Sequence, residues 1–119
     1  NLLKRIYGKF VFEDKKVVVI TSTSGTSIGE DEEFLDPEYT DYCENKKNLI
    51  EYIEQLQQEL LNKPLSVYDV CPDVVDTDMT KGLWEDLPKL KAEEVAEAVR
   101  YCFESTFNVN KIVVQKNAR

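Results

Sequence analysis

Three short runs rich in β-branched residues, separated by two stretches of helical periodicity, constrain this chain more than any other feature. The runs are Lys16 to Thr21, Leu65 to Cys71 and Lys111 to Gln115. The first is a short continuous apolar run, as expected of a strand buried on both faces of a parallel sheet, and the other two read as strands as well. Between the first two, Asp36-Pro37 reads as an N-cap followed by proline at the first helical position. From there Leu49, Tyr52, Ile53, Leu56 and Leu60 form an apolar stripe that continues to about Leu61, where Asn62-Lys63-Pro64 stops it. Between the second and third runs, Lys91 to Phe103 places Val95, Ala98, Val99 and Cys102 on one helix face. Pro72 ends the second strand, and an irregular segment runs from Asp73 to Gly82. Leu2 to Tyr7 reads as the end of a further helix closed by Gly8. The order strand, helix, strand, helix, strand predicts an α/β domain with a parallel sheet and right-handed crossovers.

The chain has 119 residues, enough for one domain spanning 1–119. Its net charge of −8 argues against nucleic-acid binding, which needs a basic stripe, and against anionic membranes. No apolar run approaches membrane-spanning length and no amino-terminal signal is visible, so a cytoplasmic location is expected. Histidine is absent, which removes histidine-based zinc sites and Ser-His or Cys-His nucleophile systems. The 3 cysteines, Cys43, Cys71 and Cys102, lack the spacing of a metal cluster or a disulfide framework. Cys71, inside a strand, reads as a buried thiol, and no metal site is expected. The acidic stretch Glu30-Asp31-Glu32-Glu33, with Asp36 beyond it, reads as a solvated loop; cation binding and docking of a basic partner are the alternatives.

The chemistry-bearing residues gather at one edge. In an open parallel sheet, ligands bind outside the carboxyl ends of the strands. Ser22 stands at the end of the first strand, Pro72 to Thr77 follow the second, and Tyr42 and Lys46 lie one turn apart early in the connecting helix. A free tyrosine has a pKa near ~10, and a neighbouring lysine cation favours its phenolate. A serine hydroxyl beside such a pair can bind an oxygen whose charge changes during proton transfer.

These motifs, in this order, resemble the carboxy-terminal half of a short-chain dehydrogenase/reductase. Thr21-Ser22-Thr23-Ser24-Gly25 resembles that family's Ser-Ser-x-Ala-Gly strand end. Tyr42-x-x-x-Lys46 resembles its catalytic helix, with Glu59-Leu60 near the end of that helix. Pro72-Asp73-Val74-Val75-Asp76-Thr77 is similar to its Pro-Gly-x-Val-x-Thr motif. Glu93 to Val99 and Lys111 to Val114 resemble the late helix and the last strand. The resemblance covers about Lys16 to Gln115. It implies a Rossmann-like three-layer fold with a partial parallel sheet, the βαβαβ half of a doubly wound domain.

The resemblance also implies an NAD(P)-dependent oxidoreductase interconverting a carbonyl and an alcohol by hydride transfer. Tyr42 would be the general acid/base, Ser22 would orient the substrate oxygen, and Lys46 would serve Tyr42 and hold the nicotinamide ribose. Lys46, Pro72, Val75 and Thr77 would bind the cofactor, NADP or NAD. The alternative is a non-catalytic interaction or dimerisation module of the same fold. The partners implied are a small-molecule substrate and a second copy or companion chain, met through the Tyr42 helix or an open sheet edge.

The departures are specific. These 119 residues contain no Gly-rich turn to receive a pyrophosphate, no Asn-Asn-Ala-Gly motif and no match for the family's active-site asparagine. Asp73 replaces the glycine that follows the proline, where a carboxylate would crowd the cofactor or point into water. Asn45 stands where serine or threonine is usual. Ser22 and Tyr42 lie 20 positions apart, more than is usual, with the acidic loop between them.

Overall fold

A computed structural model describes residues 2–25, 37–77, 81–82 and 88–116. The elements are α1 (Leu2–Phe10), β1 (Lys16–Ile20), a 3-10 turn (Thr23–Gly25), α2 (Pro37–Glu59), β2 (Ser66–Pro72), α3 (Ala92–Glu104) and β3 (Lys111–Val114). All three strands are parallel, in the spatial order β1-β2-β3. Lys16 lies opposite Ser66 and Ile20 opposite Val70; Asp69 lies opposite Lys111 and Pro72 opposite Val114.

The period of two along each strand sorts its side chains between two layers. Tyr68 and Val70, with Val18, Ile112 and Val114, pack with Val95, Ala98, Val99 and Cys102 of α3. On the opposite face Val67, with Val17 and Val19, packs with Leu49, Ile53 and Leu60 of the α2 segment. Leu3, Tyr7 and Phe10 of α1 join that second cluster. The result is the three-layer α/β arrangement the pattern predicts. All 3 cysteines are buried and unpaired, and burial pushes the Cys102 thiol up. Among the described residues, no helix is long and apolar enough to cross a membrane.

Several expectations need correction. The first run was expected to be buried on both faces, but Val17, Val18 and Val19 are half-buried and Ile20 is 49% exposed. The reason is position: β1 pairs with β2 alone among the described residues, while β2, paired on both sides, is the buried strand. The second strand runs from Ser66 to Pro72 and so takes in the proline that was expected to lie just past its end at Cys71. Gly8 does not close the first helix, which runs on to Phe10 because Tyr7, Phe10 and Val11 are packed against the sheet. Cys43 and Ile50 are buried on α2 as well as Ile53 and Leu56 of the sequence stripe, while Leu49 and Tyr52 are half-buried. The Asp36 cap and the acidic loop at 30–36 lie outside the described residues.

One long-range contact closes the α3 layer. The Lys16 ammonium donates to the carbonyls of Cys102, Phe103 and Ser105 at 3.1, 3.2 and 2.6 Å. A cation at a helix carboxyl end satisfies orphan carbonyls and meets the negative end of the macrodipole. Lys16→Met keeps the aliphatic stem and loses both effects. The expected cost is about 1–2 kcal/mol, read as a lower midpoint in chemical denaturation. An unchanged midpoint would remove Lys16 from the interactions that hold α3. At the other end of α3, the Glu94 carboxylate accepts from the Lys116 ammonium at 2.8 Å and from the Lys91 backbone N–H at 2.9 Å. The lysine foremost, then the backbone N–H, hold Glu94 below the ordinary carboxylate range.

Candidate functional site at the carboxyl edge of the sheet

Because the strands are parallel, Thr21-Ser22, Pro72-Asp73 and the end of β3 lie on one edge. Directly after β1 the chain folds into a tight turn, with the Gly25 N–H donating to the Ser22 carbonyl at 3.0 Å. Within it the Ser24 N–H donates to Ser22 Oγ at 3.1 Å, and Ser22 Oγ donates to Ser24 Oγ at 3.0 Å. Short hydroxyl side chains form such local turns readily. The bond from Ser24 N–H fixes the Ser22 oxygen in place. The Ser22 hydroxyl proton, bound only to another hydroxyl, can rotate toward a competing acceptor.

Gly25 brings this turn onto α2. A Cβ built there would lie 2.8 Å from the Lys46 carbonyl carbon and the Lys47 nitrogen, and 2.9 Å from Ile50 Cδ1. The glycine is therefore a close-approach residue: any side chain would hold the turn away from the helix. It seats the loop bearing Ser22 against the helix turn that carries Lys46. One turn earlier, Lys46 Nζ lies 5.5 Å from the Tyr42 ring centroid, inside the range of cation–π attraction. Both residues are half-buried. The turn that follows Ser22 is thus seated on the helix that carries Tyr42 and Lys46.

The segment after β2 completes that edge. Pro72 is buried, and the Asp73 N–H donates to the Val114 carbonyl at 2.9 Å. Val75 pairs with Leu90: the Leu90 N–H donates to Val74 O and the Asp76 N–H to Leu90 O, both at 2.8 Å. Val75 is consequently held in an extended course, and Thr77 is exposed at its far end. Asp73 does not point into water. It is half-buried, and its Oδ1 accepts a hydrogen bond from Thr23 Oγ1 at 3.1 Å.

Sequence reasoning passed over Asp69. This carboxyl is 2% exposed in the middle of β2; Thr21 Oγ1 donates to it at 2.5 Å, and Lys111 Nζ lies 3.9 Å away. Burial pushes its pKa up, against the opposing pull of the Thr21 hydrogen bond and the Lys111 cation. An aspartate inside an otherwise apolar strand was the available signal, since a buried carboxyl must find partners. Their identity, 48 residues away at Thr21, was not readable from spacing.

No group of three or more His, Cys, Asp or Glu side chains able to hold a metal occurs among the described residues. A shallow groove bordered by Glu51, Glu54, Gln58 and Asn110 lies toward the amino end of β3, opposite the serine edge.

Comparison with known proteins agrees with this architecture. No protein-family model matches the chain. Carbonyl reductase family member 4 of Xenopus tropicalis is 33% identical over 81 residues, covering 61% of this chain and 34% of that protein. A short-chain dehydrogenase/reductase from Vibrio parahaemolyticus superposes with a TM-score of 0.69 at 23% identity, over 97% of this chain and 49% of its own. A short chain dehydrogenase from Burkholderia cenocepacia J2315, solved in complex with NADP, gives 0.73 at 16% identity, over 97% of this chain and 44% of its own. The chain therefore spans about a third of that curated relative and just under half of each solved structure. In fold along nearly its whole length, and in sequence over more than half of it, the chain resembles a part of a short-chain dehydrogenase/reductase.

Proposed function

We propose that the protein containing this chain is an NAD(P)-dependent oxidoreductase that interconverts a carbonyl and an alcohol, with Ser22, Tyr42 and Lys46 as its proton-transfer site. The observation that carries the reading is the seating of Gly25 on α2, which sets the serine turn against the helix of the tyrosine–lysine pair. Likeness to a carbonyl reductase and to a dehydrogenase solved with NADP supports the substrate and cofactor class.

The residues present fit one end of such a cofactor. Val75, fixed by its pairing with Leu90, offers backbone polar groups beside Pro72 at the strand end, and Thr77 offers a hydroxyl at the same edge. Lys46, half-buried beside Tyr42, would hold a ribose hydroxyl as well as serve the tyrosine. A bound nicotinamide supplies the hydride. In the reduction direction Ser22 donates to the carbonyl oxygen and orients it. Tyr42 delivers its phenolic proton to that oxygen as negative charge develops, and Lys46 stabilises the phenolate left behind. The pyrophosphate end has no matching Gly-rich turn in these residues and is received by a segment outside them.

The test is carbonyl reduction by the full-length protein, followed as loss of NADPH or NADH absorbance with a panel of aldehydes and ketones. Turnover with one of the two nucleotides is expected. No turnover with any of them sinks the proposal. The 119-residue chain by itself is expected to bind either nucleotide weakly or not at all; micromolar affinity would show that these residues suffice. Asp73, standing where the family has glycine, favours a second reading, a non-catalytic module of the same fold. On either reading β1 has one pairing partner among the described residues, and its other edge calls for a further strand from the same protein or another chain. A clean monomer of the isolated chain by light scattering would count against that need.

A further inference from the structure

We propose that Asp73 is a positioning residue for Ser22, acting through Thr23 in a clasp between the β1 and β2 ends. The proposal rests on the assignment of Ser22 to the proton-transfer site. Ser22 sits between two threonines, and each donates its hydroxyl proton to an aspartate of the second strand region. Thr21 Oγ1 donates to Asp69 Oδ1 at 2.5 Å and Thr23 Oγ1 to Asp73 Oδ1 at 3.1 Å. The two pairs differ in kind. The Thr21 N–H also donates to Val70 O at 2.8 Å, so the Thr21–Asp69 pair prolongs a ladder that already fixes the backbone before Ser22.

Past Ser22 the ladder ends, and Thr23 is the first residue of a three-residue 3-10 turn. So short a turn has few backbone bonds of its own, and its contacts with neighbouring elements set its position. Asp73 restrains it from across the sheet edge. Its own backbone is anchored, because its N–H donates to Val114 O at 2.9 Å on the third strand. The restraint therefore runs from β3 through Asp73 to Thr23 and reaches the turn whose Ser24 N–H holds the Ser22 oxygen. Gly25 fixes the far side of the same turn against α2. A glycine at position 73 has no side chain with which to make this tie, so the carboxylate adds a restraint to this loop.

The experiment uses the full-length protein with Thr23→Val, Asp73→Ala, Asp73→Asn and the Thr23→Val/Asp73→Ala double variant. Hydrogen exchange at the Ser24 and Gly25 amides is the first readout and needs no activity. Exchange about three- to tenfold faster is expected in Thr23→Val and in Asp73→Ala, the equivalent of one net hydrogen bond. The double variant is expected to match the singles, because they break one tie. Asparagine keeps an acceptor oxygen, so Asp73→Asn is expected to restore protection even if Asp73→Ala folds poorly. Carbonyl-reduction kcat is expected to follow the same order, with KM for the nicotinamide cofactor unchanged. Unaltered exchange in Thr23→Val, exchange in Asp73→Asn as fast as in Asp73→Ala, or additive effects in the double variant, would overturn the clasp. Altered exchange in a protein with no reductase activity would uphold the clasp and overturn the catalytic assignment of Ser22, so the two failures are distinguishable.

Discussion

Tyr42→Phe is expected to lower kcat/KM for carbonyl reduction by the full-length protein about 10²–10⁴-fold, the range for loss of a positioned general acid. At 1.36 kcal/mol per tenfold, that is about 2.7–5.5 kcal/mol of transition-state stabilisation. The substitution removes one oxygen and little else. The half-buried ring keeps its volume, and the Lys46 ammonium keeps a ring face 5.5 Å away. Stability and cofactor affinity are therefore expected to hold, so that the loss falls on the chemical step. Lys46→Met is the informative contrast, because Lys46 is assigned two partners. Its loss should raise the cofactor KM as well as lower kcat. Retention of more than a tenth of the activity by Tyr42→Phe would remove the tyrosine from the role of proton donor.

How much of this was readable beforehand follows from the range over which each signal acts. The element order was legible because hydrophobic period is local: valine and isoleucine runs at Lys16, Leu65 and Lys111 alternate with the stripes around Leu56 and Val99. Convergence of Ser22, Tyr42 and the Pro72–Thr77 segment on one edge followed from parallel topology alone. What escaped was set by contacts between residues distant in sequence. Lys16 reads as the polar start of a strand, yet its ammonium closes a helix ending more than 80 residues later. Asp73 was read as pointing into water or crowding a cofactor because Thr23, its partner, lies 50 positions upstream. The first helix outran Gly8 because the partial burial of Tyr7 and Phe10 against the second cluster outweighs the weak helix propensity of one glycine. Even the half-exposure of β1 reflects its place in the sheet, which a valine-rich run does not encode.

Gly25→Ala tests the contact that assembles the site, and its expected effect on the fold is the largest of any single methyl. The added Cβ would stand 2.8 Å from two backbone atoms of α2, at Lys46 and Lys47, and 2.9 Å from Ile50 Cδ1. The Ile50 methyl can rotate away, but the helix backbone cannot: α2 runs 23 residues and is pinned by buried Ile50, Ile53 and Leu56. The 3-10 turn must then lift, at an overpacking cost of about 1–3 kcal/mol. A displacement of about 1 Å at the reacting groups costs on the order of 10²-fold in rate, so activity should fall well beyond the loss of folded protein. Gly8→Ala is the matched control. It adds the same methyl inside α1, where nothing lies within 4 Å, and relieves a helix of a glycine. It is expected to stabilise the protein by about 0.5–1 kcal/mol and leave turnover unchanged. Opposite shifts of the denaturation midpoint for one methyl group are therefore expected at two glycines. Equal shifts, or full activity in Gly25→Ala, would mean that the serine turn does not depend on its seat against Lys46.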